Sequence, residues 1–411
     1  MENKICEKTL ISLRRTLHEC AEVAFSLPHT RKIIIDHLVR EGVEYKEIGK
    51  GSVVARLGRG ERGILLRADM DALPMEEKSD LPFSSKNGCM HACGHDMHTA
   101  MLLGAISLLN VQKEKLTMEI RFLFQASEEN LLGAVDAIAC GILDGWEEIK
   151  EKNDEKCKQR LEKKKEYFIS KAFSLHCVTA IPLSVGKIIV PNGGTGAQAS
   201  RYFSLTYRGD SSHGGTPHIG KDALWAMHVL YQAFSALPQN TVSITDQPLL
   251  TIGEFYAGTA PNVIASSASL SGTVRSISDK AQEILCERMT EVSQKIAVAY
   301  GVSSDVSFLG YAPTLYNDPK LSVEVEGKLT AFLGKERVVS TRELEGGDGQ
   351  KRNGGSEDFA HFSHLVPSLL IAICAGDSRE GYCYPLHHPC VRFDERALFV
   401  GAKVYELLAL S

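Results

Sequence analysis

The sequence predicts a two-domain α/β protein: a mixed, mainly parallel sheet flanked by helices, carrying an inserted α+β lid. Three observations carry that reading. Short apolar runs alternate with helical patterns through the first half, which implies strands joined by helical crossovers. The texture changes near residue 196 to alternating strands and long amphipathic helices. The α/β texture then returns from about residue 313 to the end. The boundaries that follow are 1–195 plus 313–411 for a discontinuous main domain and 196–312 for the insert.

Within the first stretch, Ile5, Leu10, Leu13 and Leu17 recur at helical spacing, and Ile33 to Leu38 continue in a second helix. The runs 52–57 and 63–69 are bounded by glycine and read as strands. A buried helix is expected over 99–109 and a strand over 118–125. In the insert, 201–208 alternates as a half-exposed strand should. A helix over 222–237, strands near 250–256 and 268–275, a helix over 279–300 and a strand over 306–311 complete it. The tail predicts a strand at 368–374 and a helix from Asp394.

Composition narrows the function. Lys and Arg total 46 against 51 for Asp and Glu, a net charge of -5, so no basic excess exists to neutralise nucleic-acid phosphates. The longest apolar runs fall short of a bilayer span, and no export-type apolar region follows the first residues. Eleven cysteines, an odd number without framework spacing, fit a reduced chain better than a disulfide scaffold. A cytoplasmic protein without nucleic-acid or membrane partners is the expectation. The charged stretch 147–171 mixes both signs and reads as a solvated insertion.

The densest polar cluster is Met-His-Ala-Cys-Gly-His-Asp-Met-His at 90–98. Cys93 and His95 could grip a borderline divalent metal, although Cys-x-His alone equally describes a buried Cys beside a capping His. Strand 118–125 runs into Glu128 and Glu129, and strand 63–69 into Asp69 and Asp71. Ligands collect at the carboxyl ends of strands in open α/β sheets, and adjacent buried carboxylates need a compensating cation. His176, on an apolar strand, and His387, before the last helix, fit the same cluster, though a lone His at a strand end is more often structural. His213 lies in a glycine-rich turn unsuited to a core, where an exposed imidazole suits oxyanion binding or proton transfer.

These residues resemble the amidohydrolase branch of the aminoacylase and carboxypeptidase-G2-like metallopeptidases, with their zinc-exopeptidase-like fold. That branch includes hippurate hydrolases, N-acyl-amino-acid amidohydrolases and auxin-conjugate hydrolases. The matching segments are Arg-Ala-Asp-Met-Asp-Ala-Leu-Pro (67–74), His-Ala-Cys-Gly-His-Asp-Met-His-Thr-Ala (91–100) and Gln-Ala-Ser-Glu-Glu (125–129). Leu-His (175–176), His-Gly-Gly-Thr-Pro-His (213–218), Ala-Pro-Asn-Val-Ile (260–264) and Gly-Thr-Val-Arg (272–275) follow. Gly-Ser-Glu-Asp-Phe (355–359) and Pro-Leu-His-His-Pro (385–389) complete the set in order.

The resemblance implies two divalent metals (Zn, Mn, Co or Ni) with Cys93 bridging and His95, Glu129, His176 and His387 as further ligands. It implies Glu128 as general base, Asp71 orienting a ligand, and His213 holding the oxyanion in the other subunit of a homodimer formed through the lid. Asn262 and Arg275 match positions that contact substrate or the partner subunit. The expected reaction is hydrolysis of the amide bond in small N-acyl or N-aroyl amino acids. The alternatives are a dipeptidase or carboxypeptidase-like activity on the same site, or a non-catalytic metal-binding protein. One departure stands out: where such chains carry a glycine pair after the Glu pair, Leu131-Leu132-Gly133-Ala134 keeps only the second glycine.

Overall fold

The structure, a computed structural model, describes residues 6–151, 166–344 and 355–410. Most of the charged insertion, including the lysines at 163–165, therefore lies outside the described residues. The chain divides into two compact units. One comprises Met1–Gly196, Tyr316–Lys351 and Asp358–Ser411; the other comprises Ala197–Leu315 and Arg352–Glu357.

In chain order the first unit begins with α1 (Glu7–Glu19), α2 (Pro28–Glu41), β1 (Glu44–Ile48), β2 (Ser52–Leu57) and β3 (Gly63–Asp69). It continues with α3 (His95–Asn110), β4 (Glu119–Gln125), α4 (Gly133–Ala139), β5 (Ile169–Val178), β6 (Ile188–Val190) and β7 (Gly194–Ala197). The second unit holds β8 (Ala199–Arg208), α5 (Ala223–Thr241), β9 (Leu249–Ala257), β10 (Ser267–Ser276), α6 (Asp279–Tyr300) and β11 (Ser303–Ala312). The chain then passes through β12 (Leu315–Asn317) into α7 (Pro319–Leu333), β13 (Val338–Ser340), α8 (Thr341–Leu344), α9 (Ala360–Ser363), β14 (Ser368–Cys374) and α10 (Ala397–Ala409).

The first unit is organised on an eight-stranded sheet, ordered β1-β2-β4-β3-β5-β14-β6-β13. Its centre, β4-β3-β5-β14, is parallel, while β1, β2 and the β14–β6 pair are antiparallel. Every residue of β3 and β4 is buried, as expected where helices cover both faces of a parallel sheet. Their polar members survive burial by pairing. Arg67 spans Asp69 Oδ2 at 2.7 Å and Asp358 Oδ1 at 2.8 Å, and Gln125 donates to both Asp358 oxygens at 2.8 Å. This Arg67–Asp358 tie sews β3 and β4 to the segment before α9, so the carboxyl ends of the central strands are held in place from below.

α3 begins four residues earlier than its apolar pattern predicts. His95, Asp96 and His98 in its first turn are buried polar groups with side-chain partners, so hydropathy alone does not mark them as helical. α10 starts at Ala397 rather than Asp394, because Asp394 closes the preceding turn through its carbonyl and side chain.

In the second unit four antiparallel strands, ordered β11-β8-β10-β9, carry α5 and α6. Asp222 and Ser278 cap these helices by accepting from Trp225 and Ala281 N–H groups, each cap contributing about 1 kcal/mol. The apolar faces of both helices close a second core with Phe203, Leu205, Tyr207, Leu230, Phe234 and Leu285. β9 forms the sheet edge and is largely exposed. No helix among the described residues is long and apolar enough to cross a membrane.

Candidate metal centre

Adjacent parallel strands place their carboxyl ends side by side, and here that edge gathers the chemistry. β3 leads to Asp71, β4 to Glu128 and Glu129, and β5 carries His176 near its end. The loop before α3 supplies Cys93, the first turn of α3 supplies His95, and the turn before α10 supplies His387. Gly94 lets the first two of these point the same way. Its φ of +85° lies in the left-handed region, and a Cβ there would stand 3.1 Å from the Phe393 ring.

Donor atoms of Cys93, His95 and His176 lie within 4.8 Å of one another, and so do those of Cys93, Glu129 and His387. The two groups share the Cys93 sulfur. Cys93 Sγ is 3.5 Å from His176 Nε2, and His387 Nε2 is 3.6 Å from Glu129 Oε1. A third set joins His95 with Glu128 and Glu129.

Hydrogen bonds outside the cluster aim these donors inward. His95 Nδ1 donates to the Asp71 carbonyl at 2.8 Å, and His176 Nδ1 donates to the Cys177 carbonyl at 2.8 Å. Each bond fixes a tautomer that leaves Nε2 as the lone-pair donor facing the cluster. Asp71 acts on the glutamates through backbone: its two carboxylate oxygens accept the N–H groups of Glu128 at 3.0 Å and Glu129 at 3.3 Å. Glu128 Oε1 in turn accepts from Asp358 N–H at 3.4 Å. His387 is placed by its N–H, which donates to the Ala92 carbonyl at 2.9 Å.

The electrostatics ask for a cation. Burial and then Glu129 push the Cys93 thiol up, out of the range where it would ionise unaided. Burial and neighbouring His98 press His176 down to about 3, and burial with His95 lowers His387, so both stay neutral and able to coordinate. Burial is the largest influence on His95 and opposes its charge, but Asp69, Cys93 and the bond to Asp71 together outweigh it and hold that imidazole well above its ordinary value. His95 Nε2 is nevertheless fully buried without a hydrogen-bond partner, a costly state unless a ligand accepts its lone pair or proton. A thiol, three imidazoles and a carboxylate grouped around Cys93 Sγ fit a pair of borderline divalent ions in softness and number.

The predicted site residues thus fall into two sets. Asp71, Cys93, His95, Glu128, Glu129, His176 and His387 are brought together in the first unit. His213, Asn262 and Arg275 belong to the second. There His213 pairs with Val263 in an isolated bridge, and Gly214 N–H donates to the Asn262 carbonyl at 2.7 Å, so these two motifs form one exposed corner. Gly215 N–H donates to His213 Nδ1 at 3.0 Å, which leaves Nε2 as the N–H that faces solvent. Arg275, half-buried on β10, donates to Ser356 Oγ at 3.4 Å. Asp69, one of the strand-end acids, and His98 and Asp358, to which the sequence assigns no individual role, each make buried hydrogen bonds.

Residues 65–411 match the family described as Peptidase family M20/M25/M40. The chain belongs to this family. N-acetylcysteine deacetylase of Bacillus subtilis (strain 168) is 31% identical over 415 residues, covering 100% of this chain and 98% of the relative. Thermostable carboxypeptidase 1 of Saccharolobus solfataricus is 29% identical over 413 residues, covering 98% and 95%. Among solved structures, a Bacillus subtilis dinuclear metal-binding peptidase of the M20 family superposes with a TM-score of 0.70 at 28% identity, covering 98% of this chain and 97% of that one.

Within this M20 chain the lone glycine after the Glu pair has a steric explanation. A Cβ on Gly133 would lie 1.7 Å from the Ala126 carbonyl oxygen. Leu132, at φ -121° and 42% exposed, meets no such demand, so a leucine is tolerated there.

Proposed function

We propose that this chain is a metal-dependent amidohydrolase that cleaves small N-acyl or N-aroyl amino acids. The observation that carries the reading is the pair of donor groups sharing Cys93 Sγ, with Glu128 beside them on its own backbone anchor. Cys93, His95, Glu129, His176 and His387 would hold the two cations, Cys93 between them. The thiolate and imidazoles favour Zn, Co or Ni, while the carboxylate accommodates Mn. Cations bound there supply Lewis acidity and lower the pKa of water toward about 7.

Glu128 takes the proton from the attacking water on a carboxylate oxygen and returns it to the departing amine nitrogen. Asp71 holds both glutamates by their N–H groups, so neither need reorganise as charge develops. In a dimer, His213 would offer its Nε2–H to the oxyanion developing in the other subunit, and Asn262 and Arg275 would bind the substrate or the partner subunit. His213→Ala is expected to leave metal content unchanged and lower turnover by about 10²- to 10³-fold, the effect of losing one oxyanion donor. Metal analysis and steady-state rates on the same preparation check this, and a drop below about tenfold contradicts the role.

Exposed apolar side chains on the second unit support the reading of a homodimer. The β9 edge exposes Leu249, Phe255 and Tyr256, and α5 beside it exposes Trp225 and Tyr231, with Tyr231 and Phe255 stacked at 6.1 Å. An unpaired edge bearing apolar side chains is a pairing template, and a two-fold axis between two such edges uses one patch twice. A reducing, cytoplasmic setting suits the cysteines, all free among the described residues.

Similarity to a carboxypeptidase favours a second reading, peptide cleavage on the same centre. Assaying N-acetyl amino acids, hippurate and dipeptides side by side with added Zn²⁺ or Mn²⁺ separates the two. Preferential hydrolysis of N-acyl amino acids is expected. Preference for dipeptides would favour the second reading, and no hydrolysis at all would favour a non-catalytic metal-binding protein.

A further inference from the structure

Resting on the metal reading above, we infer that His98 is a positioning residue for the metal centre, tying Asp69 to the backbone of Cys177 so that the ring of His176 is held in its coordinating pose. His98 follows His95 by three residues on α3, so both face the strand ends. Its ring is fully buried and packs against two proposed ligands, with centroids 5.4 Å from His95 and 4.7 Å from His176.

The chain of contacts begins at Asp69. Its carboxylate, held well below the usual range against burial by Arg67 and the neighbouring imidazoles, accepts from His98 Nδ1 at 2.6 Å. That leaves His98 Nε2 as an acceptor, and it receives the Cys177 N–H at 2.7 Å. The Cys177 carbonyl then accepts from His176 Nδ1 at 2.8 Å.

The need for this tie is topological. Pairing of β3 with β5 ends at Arg67 and Ser174, while β5 runs on to Val178. Beyond Ser174 the strand has no β3 partner, and a buried N–H left without an acceptor is expensive. Two imidazoles therefore serve the two polar groups of residue 177: His98 anchors the peptide, and His176 reads its position from the carbonyl. Donor atoms of Asp69, His95 and His98 also approach within 4.8 Å, which suggests a further ligand set. Both nitrogens of His98 are already engaged by Asp69 and Cys177, so the ring acts on the metals through His176 and does not touch them.

Two amide substitutions separate the two ends of the tie. His98→Asn keeps a donor near Asp69 and loses the acceptor for Cys177 N–H; His98→Gln reaches the acceptor position. Metal-stripped protein is titrated with Co²⁺ and followed by its visible and thiolate-to-metal absorption. The parent is expected to take two equivalents. The Asn variant should take the same two, with one bound about 10- to 100-fold more weakly and with an altered spectrum, and the Gln variant should recover most of the loss. An Asn variant with parental affinity and spectrum would overturn the inference, as would a Gln variant as weak as Asn. A fall in stoichiometry would make His98 a ligand and overturn it too. Should the Asn variant fail to fold by circular dichroism, the Gln variant decides: affinity within about threefold of the parent supports the tie, and a larger loss overturns it. A parent that binds no Co²⁺ contradicts the metal reading itself, a result distinct from a parent that binds and a variant that matches it.

Discussion

Glu128→Gln is expected to lower turnover on an N-acyl amino acid by about 10²- to 10⁴-fold, the usual worth of a positioned general base, while the protein keeps its full complement of metal. The amide side chain has the same shape and still accepts from Asp358 N–H through its oxygen, so the fold around it has no cause to change. What it loses is the capacity to take a proton. Glu129→Gln provides the internal contrast: its carboxylate lies 3.6 Å from His387 Nε2 and 3.9 Å from His95 Nε2, inside the donor cluster, so its neutralisation should release metal as well as activity. Metal content and single-turnover rates on the two variants check the assignment. Equal metal retention in both would show that the two glutamates do not divide the roles in this way.

Cys93→Ala carries the second large effect: loss of metal from both positions and of hydrolysis with it. The two donor groups proposed to hold the cations, Cys93-His95-His176 and Cys93-Glu129-His387, count on the same sulfur, so one truncation removes a ligand from both at once, whereas His176→Ala or His387→Ala removes one from a single group. A buried thiol between carboxylates resists ionisation, and only a cation recovers the energy of making the thiolate. Parent and variant compared by metal analysis after exhaustive dialysis should differ by two equivalents per chain. Retention of one or both ions in the variant would show that Cys93 is not the shared ligand.

The parts of this protein that announce themselves in sequence are those where one physical demand dominates. β3 and β4 carry short apolar runs, Ile64–Leu66 and Phe122–Phe124, because both faces are covered, and α6 is delimited by a Ser cap and a glycine terminus. Strand order is another matter. Nothing local in Ser368–Cys374 says that β14 slots between β5 and β6, since neighbours in a sheet are chosen by crossover paths and not by the strand's own residues. The cluster residues stood out because acids, a thiol and imidazoles at strand ends are costly without a ligand. His98 did not, because its distinction from His95 lies in which nitrogen meets which backbone group, and that is settled only when β5 outruns β3. The start of α3 was hidden for a related reason: His95, Asp96 and His98 are buried by pairing rather than by hydropathy. Asp71, where the sequence expects a residue that orients a ligand, offers its carbonyl to His95 and its carboxylate to two backbone amides.

Anomalous diffraction from crystals of the metal-loaded protein tests the central claim most directly. The account predicts two peaks flanking Cys93 Sγ, each at about 2.3 Å if the metal is zinc, with imidazole nitrogens at both and a Glu129 oxygen at one. Density showing a bare sulfur, with no heavy scatterer within bonding reach of residue 93, would contradict it.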